Sequence, residues 1–202
     1  MSNTDVSTDN EVIERSAGEP GAFATLYDRH ARAIYRYAAQ RIGDDRAEDV
    51  LSETFLVAFE KRAVYDLAVV DARPWLLGIA TRLLRKHVRV EARAWKGMVA
   101  DLAARLATDQ IDQAGARVDA ARRVRKLAGA LRGLSPADRD TLLLYAWGDL
   151  DYAGIADALE VPIGTVRSRL NRARRLLRNA AGTSDTEQET EHGRTDPAAQ
   201  HA

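Results

Sequence analysis

The 202-residue chain contains no cysteine. That excludes disulfides and thiolate metal sites, and it fits a reducing compartment. No apolar run approaches 18 residues, which argues against a membrane span. Strand signals are nearly absent. The one β-branched pair, Val69-Val70, is too short to outweigh the helical periodicity around it. Histidine is scarce: there are four, His30, His87, His192 and His201. No nucleophile–base or metal-ligand spacing emerges, so no enzyme, cofactor or metal is expected. Asp45, Asp49 and Glu53 share a helical face, but no histidine lies nearby in sequence and no glycine-bounded loop supplies carbonyls. The N-terminus is polar and acidic, unlike a signal peptide. A cytoplasmic location is the expectation.

The formal net charge is zero, but the charges are segregated. Residues 1–20 hold five acids and one arginine, as do residues 182–202. The remainder carries 28 basic and 20 acidic residues. Such an excess favours polyanions, and the acidic ends would moderate non-specific attraction.

Residues 73–90 and residues 161–180 hold no acid. The second belongs to the most informative segment, Leu150 to Arg178. Asp151 is placed to cap a helix. Leu150 and Ile155 can staple its start, and Ala156 and Leu159 extend the apolar stripe. Glu160, Val161 and Pro162 break that helix, because proline disfavours helical geometry in the residue before it. A second stripe follows at Ile163, Val166, Leu170, Ala173 and Leu177. Its remaining surface carries Arg167, Arg169, Arg172, Arg174, Arg175 and Arg178. This is a helix-turn-helix pattern, whose second helix enters the major groove of DNA. A basic amphipathic helix alone would more often be a solvated face. The cap, the turn and the acid-free face together favour DNA.

Helices are expected at about 21–42, 45–61, 73–94, 117–132, 136–147, 151–159 and 163–179. Pro74 suits a first helical turn, where its missing N–H costs nothing. Ser135 is placed to cap the helix at Pro136, with Asp138 three positions on. Residues 1–15 are expected to be loose. The fold class is all-α, with two small helical domains joined by a flexible linker. The domains fall at 21–95 and 117–180, the linker at 96–116, an acidic N-terminal tail at 1–20 and a disordered acidic C-terminal tail at 181–202. In the first domain Trp75 reads as a core anchor and His87 as a surface residue.

Five segments, in order and spacing, resemble the extracytoplasmic-function (ECF) group of the sigma-70 family of RNA polymerase sigma factors. They are FATLYDRHARAIYRYA, AEDVLSETFLVAF, WLLGIATRLLRKHVR, LSPADRDTLLLYAWGDLDYAGIADAL and VPIGTVRSRLNRARRLLR. The resemblance implies an N-terminal domain, region 2, that docks on the clamp of the polymerase largest subunit and recognises and melts the −10 element. It implies a C-terminal domain, region 4, that docks on the flap of the second-largest subunit and reads the −35 element. Asp49, Ser52, Glu53, Phe55 and Leu56 then become polymerase contacts. Arg82, Arg85, Lys86 and Arg89, with the loop 62–73, approach the −10 strand. Thr165, Arg167, Ser168, Arg169, Asn171, Arg172 and Arg175 face the −35 duplex.

The resemblance also implies core polymerase and promoter DNA as partners, and an anti-sigma factor as a common further one. Three positions depart from the family's usual residue. Ser52 stands where glutamine is frequent, Arg82 where asparagine is frequent and Gly154 where glutamate is frequent. The alternative reading is an autonomous helix-turn-helix regulator, which would bind its operator without polymerase.

Overall fold

The computed structural model describes residues 7–87, 91, 94, 97, 122 and 126–181. Seven α-helices have defined bounds: α1 (Asp9–Arg15), α2 (Ala24–Ile42), α3 (Asp44–Lys61), α4 (Arg73–Leu84), α5 (Pro136–Ala146), α6 (Tyr152–Leu159) and α7 (Ile163–Ala181). Residues 126–133 are also helical. No strand occurs among the described residues. The linker expected at 96–116 and the tail from 182 lie outside them, apart from Gly97.

Local chemistry sets most helix starts. Ser135 Oγ accepts the Asp138 amide at 3.1 Å, and Asp151 Oδ1 accepts the Gly154 amide at 2.7 Å, so both expected caps form. Pro74 lies in the first turn of α4. Leu150 and Ile155 are both buried at the start of α6. Two ends differ from expectation. The helix expected over 73–94 passes into a 3-10 turn at Arg85–His87. Residues 9–15, expected to be loose, form α1, started by a reciprocal capping box between Thr8 and Glu11.

Helix α1 is held by more than its cap. Val12 and Ile13 enter the core. Asp9 is buried and collects three donors: Arg29 Nη1 at 2.8 Å, His30 Nε2 at 2.6 Å and the Ala72 amide at 3.0 Å. Burial alone would raise the Asp9 pKa, but hydrogen bonds from His30, Arg29 and Ala72 outweigh it and hold it at about 2.

Helix α3 packs on α2 and α4, and α7 packs on α5 and α6. The two halves are not separate bodies. Helix α4 lies against α6, and one apolar core runs from Val12 through Leu84 to Leu143, Ile155, Val166 and Leu170. An alanine methyl at Gly78 would overlap the Ala158 carbonyl, so the two helices approach backbone to backbone.

Candidate nucleic-acid interface

The α6–α7 turn is built on Glu160. It ends α6 in the left-handed region (φ 54°, ψ 48°), while the Val161 amide donates back to Ala156 O at 3.0 Å. This is the Schellman closure, with glutamate where glycine is usual. Helix α7 then buries Val166, Leu170 and Ala173. Ile163 and Leu177, the ends of the expected stripe, are exposed and half-buried.

On the opposite face, Ser168, Asn171, Arg172, Arg174, Arg175 and Arg178 line an open groove of about 730 Å³. Arg167 is exposed, while Thr165 and Arg169 are half-buried. Thus Ser168, Asn171, Arg172 and Arg175 come together as the sequence expected, and Arg167 points elsewhere on the solvent side. Arg172 Nε also lies 3.4 Å from the buried Asp138 carboxylate. Arg174 is held from behind, with Nη1 donating to Tyr152 OH at 3.2 Å and its guanidinium over the Tyr145 ring. An anion entering the groove therefore meets a prepositioned guanidinium array.

The basic face of α4 is arranged differently. Arg82 Nη1 donates to Glu160 Oε1 at 2.9 Å, and Arg85 Nε to Asp140 Oδ2 at 2.7 Å. Both acids come from the C-terminal half. Lys86 Nζ lies 3.3 Å from Glu53 Oε1. Arg89 lies outside the described residues.

On α3, Asp49, Ser52 and Leu56 form an outer face, with Glu53 half-buried beside them. Leu56 is 58% exposed, an isolated large apolar side chain in water. Phe55 does not join that face. It is 7% exposed and its ring packs on Tyr27 at 4.9 Å between centroids. Position 55 points inward because it continues the stripe of Val50, Leu51, Thr54 and Ala58.

Sequence reasoning missed one cluster entirely. Arg41 is 0% exposed. Its Nε donates to Glu91 Oε1 at 2.8 Å and its Nη2 to Asp140 Oδ1 at 2.8 Å. Its Nη1 donates to Tyr37 OH at 2.9 Å; Tyr37 OH pairs with Thr81 Oγ1 at 2.9 Å, and Thr81 donates to Leu77 O. Burial would lower the Arg41 pKa, but Tyr37, Glu91 and Asp140 outweigh it and push it above the usual arginine range. The signal was an arginine within the apolar stripe Ile34, Tyr37, Ala38, Arg41 and Ile42.

Comparison with known proteins agrees with this two-part organisation. The family model described as Sigma-70 region 2 matches residues 26–94, and that described as Sigma-70, region 4 matches residues 125–177. ECF RNA polymerase sigma factor SigL of Mycobacterium tuberculosis is 33% identical over 171 residues, covering 83% of this chain and 93% of SigL. ECF RNA polymerase sigma factor BldN of Streptomyces coelicolor is 29% identical over 174 residues, covering 83% of this chain but 63% of BldN. The fold is similar to CnrH, solved with the cytosolic domain of CnrY (TM-score 0.58, 21% identity, 88% of this chain and 99% of that one). It is also similar to RpoE of Bartonella quintana, solved with the anti-sigma factor NepR (TM-score 0.51, 22% identity, 79% and 96%).

Proposed function

Because the chain belongs to the ECF group of the sigma-70 family and is a transcription initiation factor, we propose that it binds core RNA polymerase and directs it to promoters through both halves. The reading is carried by the groove on α7. Four of the seven proposed −35 contacts converge there with Arg174 and Arg178 on the second helix of a helix-turn-helix. Arginine can grip phosphate or contact guanine bidentately, so not every one specifies sequence. Asp49, Ser52, Glu53 and Leu56 supply the polymerase clamp contact, and Phe55 supports them from beneath. The loop 62–73 and Arg82, Arg85, Lys86 and Arg89 serve the −10 strand. Region 4 docks on the flap of the second-largest subunit.

Melting requires no covalent chemistry. Binding of extruded bases offsets an unpairing cost of a few kcal/mol per base. The role is therefore one of binding, not enzymatic turnover. An anti-sigma factor is a further partner of the kind NepR is for RpoE. The site of action is the cytoplasm, where the polymerase works. No described helix is long and apolar enough to cross a membrane.

Run-off transcription with purified core polymerase on genomic fragments, followed by start-site mapping, tests this. Defined starts dependent on the chain are expected. Tight operator binding without polymerase, and no transcripts with it, would favour the autonomous regulator instead.

A further inference from the structure

We propose that α1 is a brace for the loop 62–73: Asp9 and Asn10 are positioning residues that hold the loop in the shape that receives extruded promoter bases, without touching DNA themselves. The assignment of that loop to the −10 strand rests on the function proposed above. The brace itself rests on geometry.

Three observations converge. First, the loop displays apolar surface. Val64, Leu67 and Val70 are 81%, 42% and 56% exposed, three of the eight exposed large apolar side chains among the described residues. Such clustering marks a contact surface. Extruded bases are held between aromatic or apolar side chains.

Second, the loop's own hydrogen bonds are local. Tyr65 OH donates to Val69 O at 2.8 Å, the Val69 amide to Asp66 O at 2.9 Å and the Ala68 amide to Asp66 Oδ1 at 3.0 Å. Tyr65 also packs on Trp75, which anchors the loop's start. These contacts shape turns, but they do not fix residues 66–72 to the body of the domain. Exposed aliphatic side chains would gain by swinging inward.

Third, α1 ties the loop down at two points. Asn10 Nδ2 donates to Leu67 O at 2.9 Å, and Asp9 Oδ2 accepts the Ala72 amide at 3.0 Å. The tie is itself anchored. Asp9 also takes Arg29 Nη1 and His30 Nε2 from α2, and Val12 and Ile13 are buried in the core. The loop is thus coupled through α1 to α2. The Sigma-70 region 2 match begins at residue 26, so the brace precedes it.

The brace contributes preorganisation. A loop that orders only when a base arrives pays that cost on binding, whereas a loop already held binds more tightly. Apparent affinity scales with the fraction of chains in the receptive shape. Asn10 is the cleaner probe. Its Oδ1 is buried without a hydrogen-bond partner, so truncation removes an unmet acceptor along with the donor, and the fold should tolerate it. Asp9 holds three donors, and its loss also disturbs α1.

Run-off start-site mapping supplies a promoter for the test. Holoenzyme is assembled from the full chain and a mycobacterial core RNA polymerase, and permanganate footprinting reports unpaired thymines on that promoter. Asn10→Ala should melt within about 2 °C of the wild type and bind core polymerase equally. Its initial, unmelted promoter binding should hold. Its open complexes should fall about threefold to tenfold, since losing one hydrogen bond leaves the loop mostly in other shapes. In the free chain, the Val69 and Ala72 amides should lose exchange protection while α4 keeps its own. Asp9→Ala should act in the same direction and more strongly.

Wild-type protection of Val69 and Ala72 in Asn10→Ala overturns the brace. A loosened loop with undiminished promoter opening overturns its −10 role. Weaker core binding in Asn10→Ala would make the loop a polymerase contact and overturns that role equally. If no form yields transcripts, the proposed function fails and the −10 role with it, while exchange in the free chain still decides the brace.

Discussion

Glu160 ends α6 in a left-handed conformation and gives its carboxylate to Arg82 of the opposite domain, 2.9 Å away. The residue makes a poor helix stop and reaches across to the opposite domain. A left-handed non-glycine residue costs about 1–2 kcal/mol. The pair is largely exposed, so it returns well under 1 kcal/mol. Glu160→Gly should therefore raise stability slightly, by about 1 kcal/mol, in thermal unfolding followed by circular dichroism. Glu160→Val should lower it, because a β-branched side chain fits that backbone worse. Equal melting of all three proteins would contradict the strained turn.

The buried arginine gives a larger effect. Arg41→Met removes the buried cation that Asp140 and Glu91 share, leaving Asp140 with Arg85 and Glu91 with the more distant Arg139, and removing one member of a buried pair costs about 3–5 kcal/mol. Arg41→Met combined with Asp140→Leu should recover part of that loss. A double-mutant cycle by denaturant unfolding is expected to give a coupling energy above about 1 kcal/mol. Additive losses would show that the two side chains do not act together.

What was legible in the sequence follows from range. Ser135, Asp151 and Pro74 act within one helical turn, and each stands where the sequence placed it. Thr8 and Glu11 carried the same kind of signal for α1, but seven residues lack the periodicity that announces a helix. The α7 groove was readable because its face repeats every three or four residues. The bridge from Arg41 to Asp140 was not. Arg41 and Asp140 are 99 positions apart, and charge in an apolar stripe says only that a partner exists. Phe55 was misplaced because an apolar residue beside an exposed face looks the same in sequence whether it turns in or out.

Acid should release the N-terminal clip. Folded Asp9 ionises at about 2, below its ordinary value of 3.8. The unfolded chain therefore binds the proton more readily. The stabilisation is fully present above about pH 4 and is lost as pH falls through about 2. The difference amounts to about 2 kcal/mol. Protection of the Ala72 amide, which donates to Asp9, relative to the unstructured-chain rate at the same pH should fall over that window. In Asp9→Asn it should already be low at pH 5, and unchanged protection there would contradict the clip.

The α3 face separates contact from support. Leu56→Ala removes an exposed side chain and should leave thermal stability within about 0.5 kcal/mol while weakening core-polymerase binding. Phe55→Ala empties a buried site against Tyr27 and should cost about 3–5 kcal/mol of stability. Titration of core polymerase alongside thermal melts distinguishes them. If Leu56→Ala binds as the wild type does, the polymerase contact lies elsewhere.

Arg172 tests the groove on α7 most directly. Its guanidinium is half-exposed and shares its charge with Asp138 at 3.4 Å. Arg172→Ala should leave core-polymerase binding intact and lower transcription from promoters with a −35 element. If the side chain holds a phosphate, the slope of log affinity against log salt for duplex binding should fall by about 1 in magnitude, and all sequences should weaken alike. If it contacts a base edge, discrimination at one position should fall by about 1–3 kcal/mol with the salt slope nearly unchanged. Asp138 engages only the Nε side of the guanidinium, which orients it and leaves the two Nη groups able to take a phosphate or both acceptors of a guanine edge, so the salt slope decides between the two.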